Sequence, residues 1–571
     1  MAQLELSIDN QDFTDTQNVI THLEQQLDSK SPQFVELLVQ KSRYFESIED
    51  NNLSEEVCRQ AIQLGITLDN PVVLARAYSQ LAFTLYISLN SINFSKEQKD
   101  QINKDRSQAM AEASKILNKI ISDSNSGTII DDLLLKTQAL FIDYQGLFKL
   151  EQGFPSQAIE LFKKALEIAK KINYVYVIIV ALNNMAACYL QMGQFEEASQ
   201  TIDDKIKLVT RIGNAKELTQ AYSIKGDIYR ELGQLEKALE TKKLILDLGT
   251  SLNRPFLVSY GMGAMASIYF EMGDFKQAKD FFNQSVDILR KNFGDKRRII
   301  LRKFIQSLGI IDRYEMKYDL ALIRFRSALE FLDSDNEKIS VFFELIVTLL
   351  EINKPEAMHE ARVYLEIMNE INQKYTDYPD NVELYNLAKA LMLNKSPHLE
   401  NKFQAKQILK ELEKSAILPK NQLLASQAII DILLYELKAS SDKEILKNLK
   451  SQIEKVYLLS QKQKRFNVMI DSFLLQSKVE IVEGNYQKAF ELLEQAEKLC
   501  QDKNLQPLTT RIKVEKEAIT NYIEIFNEQM KSNLSIIKKI EVVQFEDYLI
   551  KAKKFLSDSM EDQKTSNTKI L

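Results

Sequence analysis

The sequence predicts an all-α chain, an α-α superhelix built from about eleven antiparallel helix pairs. Three observations predict it. Four segments share one punctuation, Gly153-Phe154-Pro155-Ser156-Gln157-Ala158, Gly193-Gln194-Phe195-Glu196-Glu197-Ala198, Gly233-Gln234-Leu235-Glu236-Lys237-Ala238 and Gly273-Asp274-Phe275-Lys276-Gln277-Ala278, and their glycines step by 40. A fixed period of roughly 20 to 50 residues marks stacked repeats, in which each unit buries its apolar face on its neighbours and the chain lengthens without splitting into separate cores. Only 15 Gly and 9 Pro occur among 571 residues, and apolar residues recur at helical spacing, which disfavours a sandwich or barrel.

Composition narrows the function classes. Hydrophobic residues make up 45% and charged residues 27%, as in an ordinary folded protein, and 74 Lys plus Arg against 80 Asp plus Glu leave a formal charge of −6. That balance argues against bulk nucleic-acid binding, which draws on a strongly basic footprint. Cys58, Cys188 and Cys500 form no Cys-x-x-Cys pair and are expected as single buried thiols in a reducing compartment. The start Met1-Ala2-Gln3-Leu4-Glu5-Leu6 does not read as a secretory signal. The uncharged apolar run Tyr174 to Leu182 falls well short of the roughly 20 residues that span a bilayer, so no membrane insertion is expected and the cytoplasm is the expected compartment.

In chain order, residues 1–31 form an N-terminal capping segment, with Val19, Ile20, Leu23 and Leu27 at helical spacing. A first pair runs from Pro32 to Leu68, with a turn at Glu49 to Asn52 and Ser54 placed to cap the second helix. The second pair starts at Pro71, and a polar insert from Asn90 to Arg106 swells its turn, either for function or as a tolerated insertion. A Ser-Asn-Ser-Gly linker near 122–127 leads to regular repeats over 129–333, degenerate ones over 337–460 and a clear one over 464–502, which completes a solenoid of residues 32–505. Residues 506–530 are expected as a capping helix. Residues 531–571 are expected as an amphipathic helix, with Ile537, Ile540, Val543 and Phe545 at its apolar positions, followed by a disordered tail.

Within the regular region, small residues stand seven before each turn glycine, at Gly146, Ala186, Gly226 and Ala266, and Tyr189, Tyr229 and Tyr269 stand four before the last three. Small residues facing across a pair let the helices approach, and tyrosines fill the gap beside them. With Ala158, Ala198, Ala238 and Ala278 after the glycines, this pattern resembles the tetratricopeptide repeat family. The likeness is to the subclass with units near 40 residues found in kinesin light chains, bacterial peptide-sensing regulators and a sugar-sensing transcription activator. Gly309 and Ala321 continue the pattern with Met316 in place of the turn glycine, and Gly484 and Ala489 resume it. Two features depart from it. The chain has no tryptophan, and Lys205 and Lys242 fall at second-helix sites that the family fills with apolar side chains. Such a lysine can lay its stem on the apolar surface and keep its charge in water.

No catalytic, metal or cofactor constellation is legible. His22, His359 and His398 each stand alone, and no Gly-x-x-x-x-Gly-Lys run, His-Glu-x-x-His pair or Gly-x-Ser-x-Gly elbow occurs. What the resemblance implies is binding, because such repeats line a concave groove with their first helices. Carried over unit by unit, groove sites fall at Asn183, Asn184 and Ala187, then Gln220, Ser223, Asp227 and Arg230, then Tyr260, Gly263, Ser267 and Phe270, then Lys303, Gln306 and Arg313. Gly263 and Ser267 would leave room for a ligand side chain beside Tyr260 and Phe270; a solvated helix face would also carry residues of these types. A basic patch, Arg290, Lys291, Lys296, Arg297, Arg298 and Arg302, would suit an acidic or phosphorylated partner segment, or form a solvated join.

The reading is a non-enzymatic scaffold that binds a peptide or extended segment of a partner protein on its concave face, without cofactor or nucleic acid, and with self-association left open. The alternative is a peptide-responsive sensor acting through a separate output partner.

Overall fold

The computed structural model describes residues 13–529 except 49, 92–95, 125–131, 153, 333–334, 375–378, 417–418, 441 and 504, together with Leu4, Ser7, Ile8 and Val543. Among these residues the chain is all helix, without strands, and it folds as two compact units, residues 1–228 and 229–571. The first unit holds α1 (Phe13–Gln26), α2 (Pro32–Ser47), α3 (Asn51–Thr67), α4 (Pro71–Ser91), α5 (Lys96–Ser124), α6 (Asp132–Glu151), α7 (Pro155–Lys171), α8 (Val175–Gln191), α9 (Phe195–Ile212) and most of α10 (Ala215–Glu231). The second unit continues with α11 (Leu235–Ser251), α12 (Pro255–Glu271), α13 (Phe275–Phe293), a short 3-10 turn (Gly294–Arg297), α14 (Arg298–Tyr314), α15 (Tyr318–Leu329), α16 (Asp335–Ile352) and α17 (Pro355–Lys374). It ends with α18 (Pro379–Asn394), α19 (Leu399–Ser415), α20 (Pro419–Ser440), α21 (Lys443–Lys462), α22 (Phe466–Glu483), α23 (Tyr486–Asp502) and α24 (Gln506–Gln529).

Local chemistry sets these boundaries. Seven of the nine prolines are the first residue of a helix, where the missing N–H costs nothing and φ is already helical. Gly193, Gly233 and Gly273 turn the chain with φ of 73°, 69° and 80°, while Gly153 lies outside the described residues. A second ladder runs half a period out of phase, with Asn173, Gly213 and Asn253 at φ of 54°, 76° and 48°. Between Asn173 and Gly273 the chain therefore reverses every half period on one of the two residue types that enter the left-handed region at least cost. Met316 takes the turn glycine's place at φ of 59°.

Core slots repeat with the ladder. Ala158, Ala198, Ala238 and Ala278 are buried, and so are Phe162, Ile202, Lys242 and Phe282 four residues later. The small residue seven before the turn makes room for a ring, not for a bare backbone. A Cβ on Gly146 would fall 2.5 Å from Phe162, and one on Gly309 would fall 2.7 Å from Phe325.

In unit 2 the late helices return to the early turns. A Cβ on Gly233 would meet Phe466 Cζ at 2.4 Å, Arg465 Nη1 donates to Glu271 Oε1 at 3.2 Å, and Leu508 lies against Gly273. One connected apolar core runs from Leu235 to Val543. The two turn glycines therefore respond differently to alanine. Gly193→Ala meets nothing within 4 Å and is expected to cost only the left-handed strain, about 1–2 kcal/mol. Gly233→Ala carries the same strain plus the Phe466 clash. In a double-mutant cycle by urea unfolding, the Gly233→Ala cost should shrink by about 1 kcal/mol or more in the Phe466→Ala background. Absence of coupling would contradict the close approach.

Two expectations are corrected here. Ser54 does not cap α3: Asp50 does, accepting from Leu53 N–H, while Ser54 is buried against Ser42 at 2.9 Å. The polar insert is no swollen turn, because from Lys96 onward it is the start of the 29-residue α5, and Arg106 is buried with Glu151 at 2.8 Å. Among the described residues one helix stretch, Pro71–Leu89, is long and apolar enough to cross a membrane by length and composition. It forms most of α4 and packs against α3, α5 and α6. Of the expected C-terminal amphipathic helix and tail only Val543 is described, and it is buried; the rest lies outside the described residues.

Candidate functional site

In unit 1 the first helix of each successive pair contributes to one cleft of about 380 Å³. Arg43 and Glu46 come from α2, Phe83 and Tyr86 from α4, Asp143 and Tyr144 from α6, Tyr176, Asn183 and Asn184 from α8, and Lys216, Glu217 and Gln220 from α10. These residues converge because each reversal returns the chain to the same side of the stack, so equivalent positions on successive first helices face one space.

Aromatic rings form much of the wall. Phe83 stacks on Tyr144 with centroids 4.4 Å apart, and the Arg43 guanidinium lies 4.0 Å over the Tyr176 ring. The carboxyl of Glu46 accepts from Thr84 Oγ1 at 2.6 Å and Gln80 Nε2 at 2.9 Å; burial nonetheless lifts its pKa to about 7. Asp143 is 1% exposed, its Oδ2 meets Asn184 Nδ2 at 3.5 Å, and its Oδ1 has no hydrogen-bond partner among the described residues. Burial raises this carboxyl to about 7 as well, offset only by the Asn184 amide.

Lys205 corrects the expectation of a stem laid on the surface with its charge in water. Its side chain is 0% exposed, and Nζ pairs with Glu217 Oε2 at 2.7 Å and donates to Asn183 Oδ1 at 2.8 Å. Burial pulls its pKa down against the pull of Glu217. A carboxylate from the next first helix made a buried charge tenable at a core slot. Lys242 is likewise buried.

The sequence-predicted groove residues divide. Asn183, Asn184 and Gln220 line the cleft, whereas Ala187, Ser223 and Asp227 are half-buried and outside its lining. In unit 2, Gly263 offers no room for a ligand side chain, because a Cβ there would fall 2.1 Å from Phe304 Cζ, so a ring of the chain itself fills the space. Ser267 bonds back to the Gly263 carbonyl at 3.1 Å, Phe270 packs with Phe275 and Tyr314, and Tyr260 stacks on Phe256. Arg313 is held by Glu344 at 2.8 Å, and Arg230 by Glu231 at 2.9 Å; Gln306 accepts from Arg302 at 3.1 Å, and Lys303 is exposed.

The basic patch is partly committed too. Arg297 lies 4.2 Å over Phe256 and Arg298 donates to the Glu330 carbonyl at 2.9 Å, so two of its forks face the chain, while Arg290 and Lys291 are exposed; the Lys296 side chain lies outside the description. Among the described residues no group of His, Cys, Asp and Glu is placed to hold a metal ion.

Sequence reasoning missed Arg43, Glu46, Phe83, Tyr86, Asp143, Tyr144, Tyr176, Lys216 and Glu217. A signal for two of them was present: Asp143 and Tyr144 stand to Gly153 as Asn183 and Asn184 stand to Gly193.

Residues 139–204 and 217–291 match the family model of the tetratricopeptide repeat. No curated protein matches the chain. Solved structures similar to it include the apo form of RapI, at 13% identity and TM-score 0.47, covering 67% of this chain and 100% of that one. The apo quorum sensor NprR from B. thuringiensis is similar at 13% identity and TM-score 0.45, covering 67% and 98%. The Rap conjugation gene regulator of plasmid pLS20 with the Phr* peptide is similar at 15% identity and TM-score 0.39, covering 75% and 97%.

Proposed function

We propose, starting from the match of residues 139–204 and 217–291 to the tetratricopeptide-repeat model, that unit 1 binds an extended peptide, or a peptide-like segment of a partner protein, in the cleft formed by its first helices. One observation carries this reading. A single cleft gathers aromatic faces (Phe83, Tyr144, Tyr176), amides (Asn183, Asn184, Gln220) and ionisable groups from first helices at successive steps of the stack. An extended backbone presents donors and acceptors at regular intervals, which amides on successive helices can meet, and rings take the side chains between them.

Binding, not catalysis, suits these residues. Burial pushes the thiols of Cys58 and Cys188 up to about 12 and 11, so neither is a nucleophile near neutral pH. The basic patch is not part of this cleft, and the reading does not require an acidic or phosphorylated ligand.

The test is selection of random peptides on the immobilised full chain, followed by titration of the retained peptides. Tyr176→Ala combined with Asn184→Ala is expected to weaken binding by at least tenfold, with the melting temperature measured alongside to confirm folding. The triple change Tyr260→Ala, Phe270→Ala and Lys303→Ala in unit 2 should leave affinity unchanged. The reverse ranking would move the site to unit 2 and remove the proposal.

A further inference from the structure

Stacked helix pairs are held by their neighbours, each packing on the pair before it and the pair after it. Unit 2 adds contacts of another kind. Arg465, just before α22, donates to Glu271 at the end of α12 across 194 residues of chain, and Arg230 Nε lies 3.8 Å from the same carboxylate. The Phe466 ring fills the space over Gly233, so that no Cβ fits there, and Lys503 Nζ stands 5.1 Å from the centroid of that ring. Leu508 of α24 lies against Gly273. At the end of α14, burial first, and carboxylates that include Asp471 of α22, raise the pKa of the Tyr314 hydroxyl. These contacts form a seam between the early turns and the late helices of the unit.

The seam changes what unit 2 presents. A first helix in an open stack keeps one face on the groove, and in α12 seven of 17 residues are buried. In α22 thirteen of 18 are buried, and elements from the other end of the unit stand against Phe466 and Asp471. The seam is nonetheless slight beside the packing that it closes. Its ion pair is part-exposed, with 38% of the Arg465 side chain and 24% of Glu271 open to water, a setting in which such pairs contribute little. Its apolar contacts at the two turn glycines are Phe466 and Leu508. If the seam parts, every helix still has the pair before it and the pair after it, so opening requires only the loss of the seam's own contacts.

We propose that this seam is an autoinhibitory latch: closed, it bars access to the face of α12 beside Glu271, and open, it leaves unit 2 folded with that face reachable. The latch goes beyond the ligand reading for unit 1 and does not rest on it.

The test uses the full chain with Ser267→Cys as a reporter, since residue 267 is half-buried one turn before Glu271 on α12. The buried thiols Cys58 and Cys188 report unfolding of unit 1, and Cys500 reports unfolding of unit 2. Maleimide labelling is followed at each thiol by mass spectrometry. Arg465→Glu, and separately Phe466→Ala, is expected to speed labelling at residue 267 by about tenfold or more, while the three native thiols stay within about threefold of their former rates. Arg465→Lys keeps the charge and should leave residue 267 within about threefold of the reporter chain, which separates loss of the latch from a general disturbance of the turn. An unchanged rate at residue 267 in both variants would show that the seam bars nothing. Acceleration at Cys500 equal to that at residue 267 in both would show that unit 2 unfolds and has no open folded state. Either result overturns the latch, and neither bears on peptide binding in unit 1.

Discussion

Glu217→Gln is expected to destabilise unit 1 by about 3 kcal/mol or more, whereas Lys205→Met is expected to cost distinctly less. The asymmetry follows from burial. Lys205 occupies a core slot filled by Ala165 in α7, Ile245 in α11 and Ser285 in α13, and its ammonium is 0% exposed. Removing Glu217 strands that charge, and the lysine must lose its proton or drag water into the stack. Removing Lys205 instead places an unbranched apolar side chain at a site whose equivalents are uncharged, and leaves Glu217, at 15% exposure, close enough to water to hydrate. Urea unfolding of both variants, with hydrogen exchange of the α9 amides to localise the effect, checks this. Equal losses from the two substitutions would show that the pair acts as a surface ion pair and not as a buried one.

Asp143→Asn should stabilise the protein above neutral pH and have little effect near pH 4. The folded-state pKa of Asp143 lies near 7, above the 3.8 of an ordinary aspartate, so ionisation is harder in the folded chain than in the unfolded one. Such a group contributes no penalty while both states are protonated. The unfolded chain gains as pH rises through 3.8, and the loss of stability is complete once pH has passed about 7. At 1.36 kcal/mol per pKa unit the effect is at most about 4 kcal/mol. Relaxation and water entry bring the expected gain from Asp143→Asn at pH 8 to about 1 to 3 kcal/mol. Glu46, also lifted to about 7, adds a slope of the same sign. Melting temperatures of wild type and variant at pH 4.5, 6 and 8 should converge at the acid end and diverge at the alkaline end. A gap independent of pH would mean that the Asp143 carboxyl is not desolvated when ionised.

Much of the fold was legible in the sequence because a reversal every half period demands residues that enter the left-handed region, and such residues stand out. The glycines at 193, 233 and 273 were read directly. Asn173 and Asn253 carry the same conformation but do not stand out in the sequence, since asparagine also occurs freely on helix surfaces. Lys96 to Arg106 read as a swollen turn because its composition is polar, yet a helix with one buried face needs few apolar residues, and Arg106 contributes to that face with its stem. Seven of the nine prolines mark helix starts without ambiguity.

The site was less legible for a physical reason. Sequence periodicity locates the side of the first helix that points away from its partner, but not whether the next turn of the array covers that side. In unit 1 the positions of Asn183, Asn184 and Gln220 remain open to the cleft. In unit 2 the equivalent positions are spent internally: Phe304 fills the space beside Gly263, Tyr314 packs on Phe270, and Glu344 pairs with Arg313. Asp143 was recoverable by applying the Asn183 offset to the Gly153 repeat, whereas the pairing of Lys205 with Glu217 depends on two side chains from different repeats and leaves no trace in the period.

The central claim is that the ligand lies in the unit 1 cleft. Photo-cross-linking tests it most directly: a selected peptide carrying a benzophenone side chain is irradiated with the full chain, and the adducts are mapped by mass spectrometry. Adducts at Phe83, Tyr144 or Tyr176, lost when unlabelled peptide competes, are the expected result. Competable adducts confined to unit 2, at residues such as Tyr260, Phe270 or Lys303, would contradict the account.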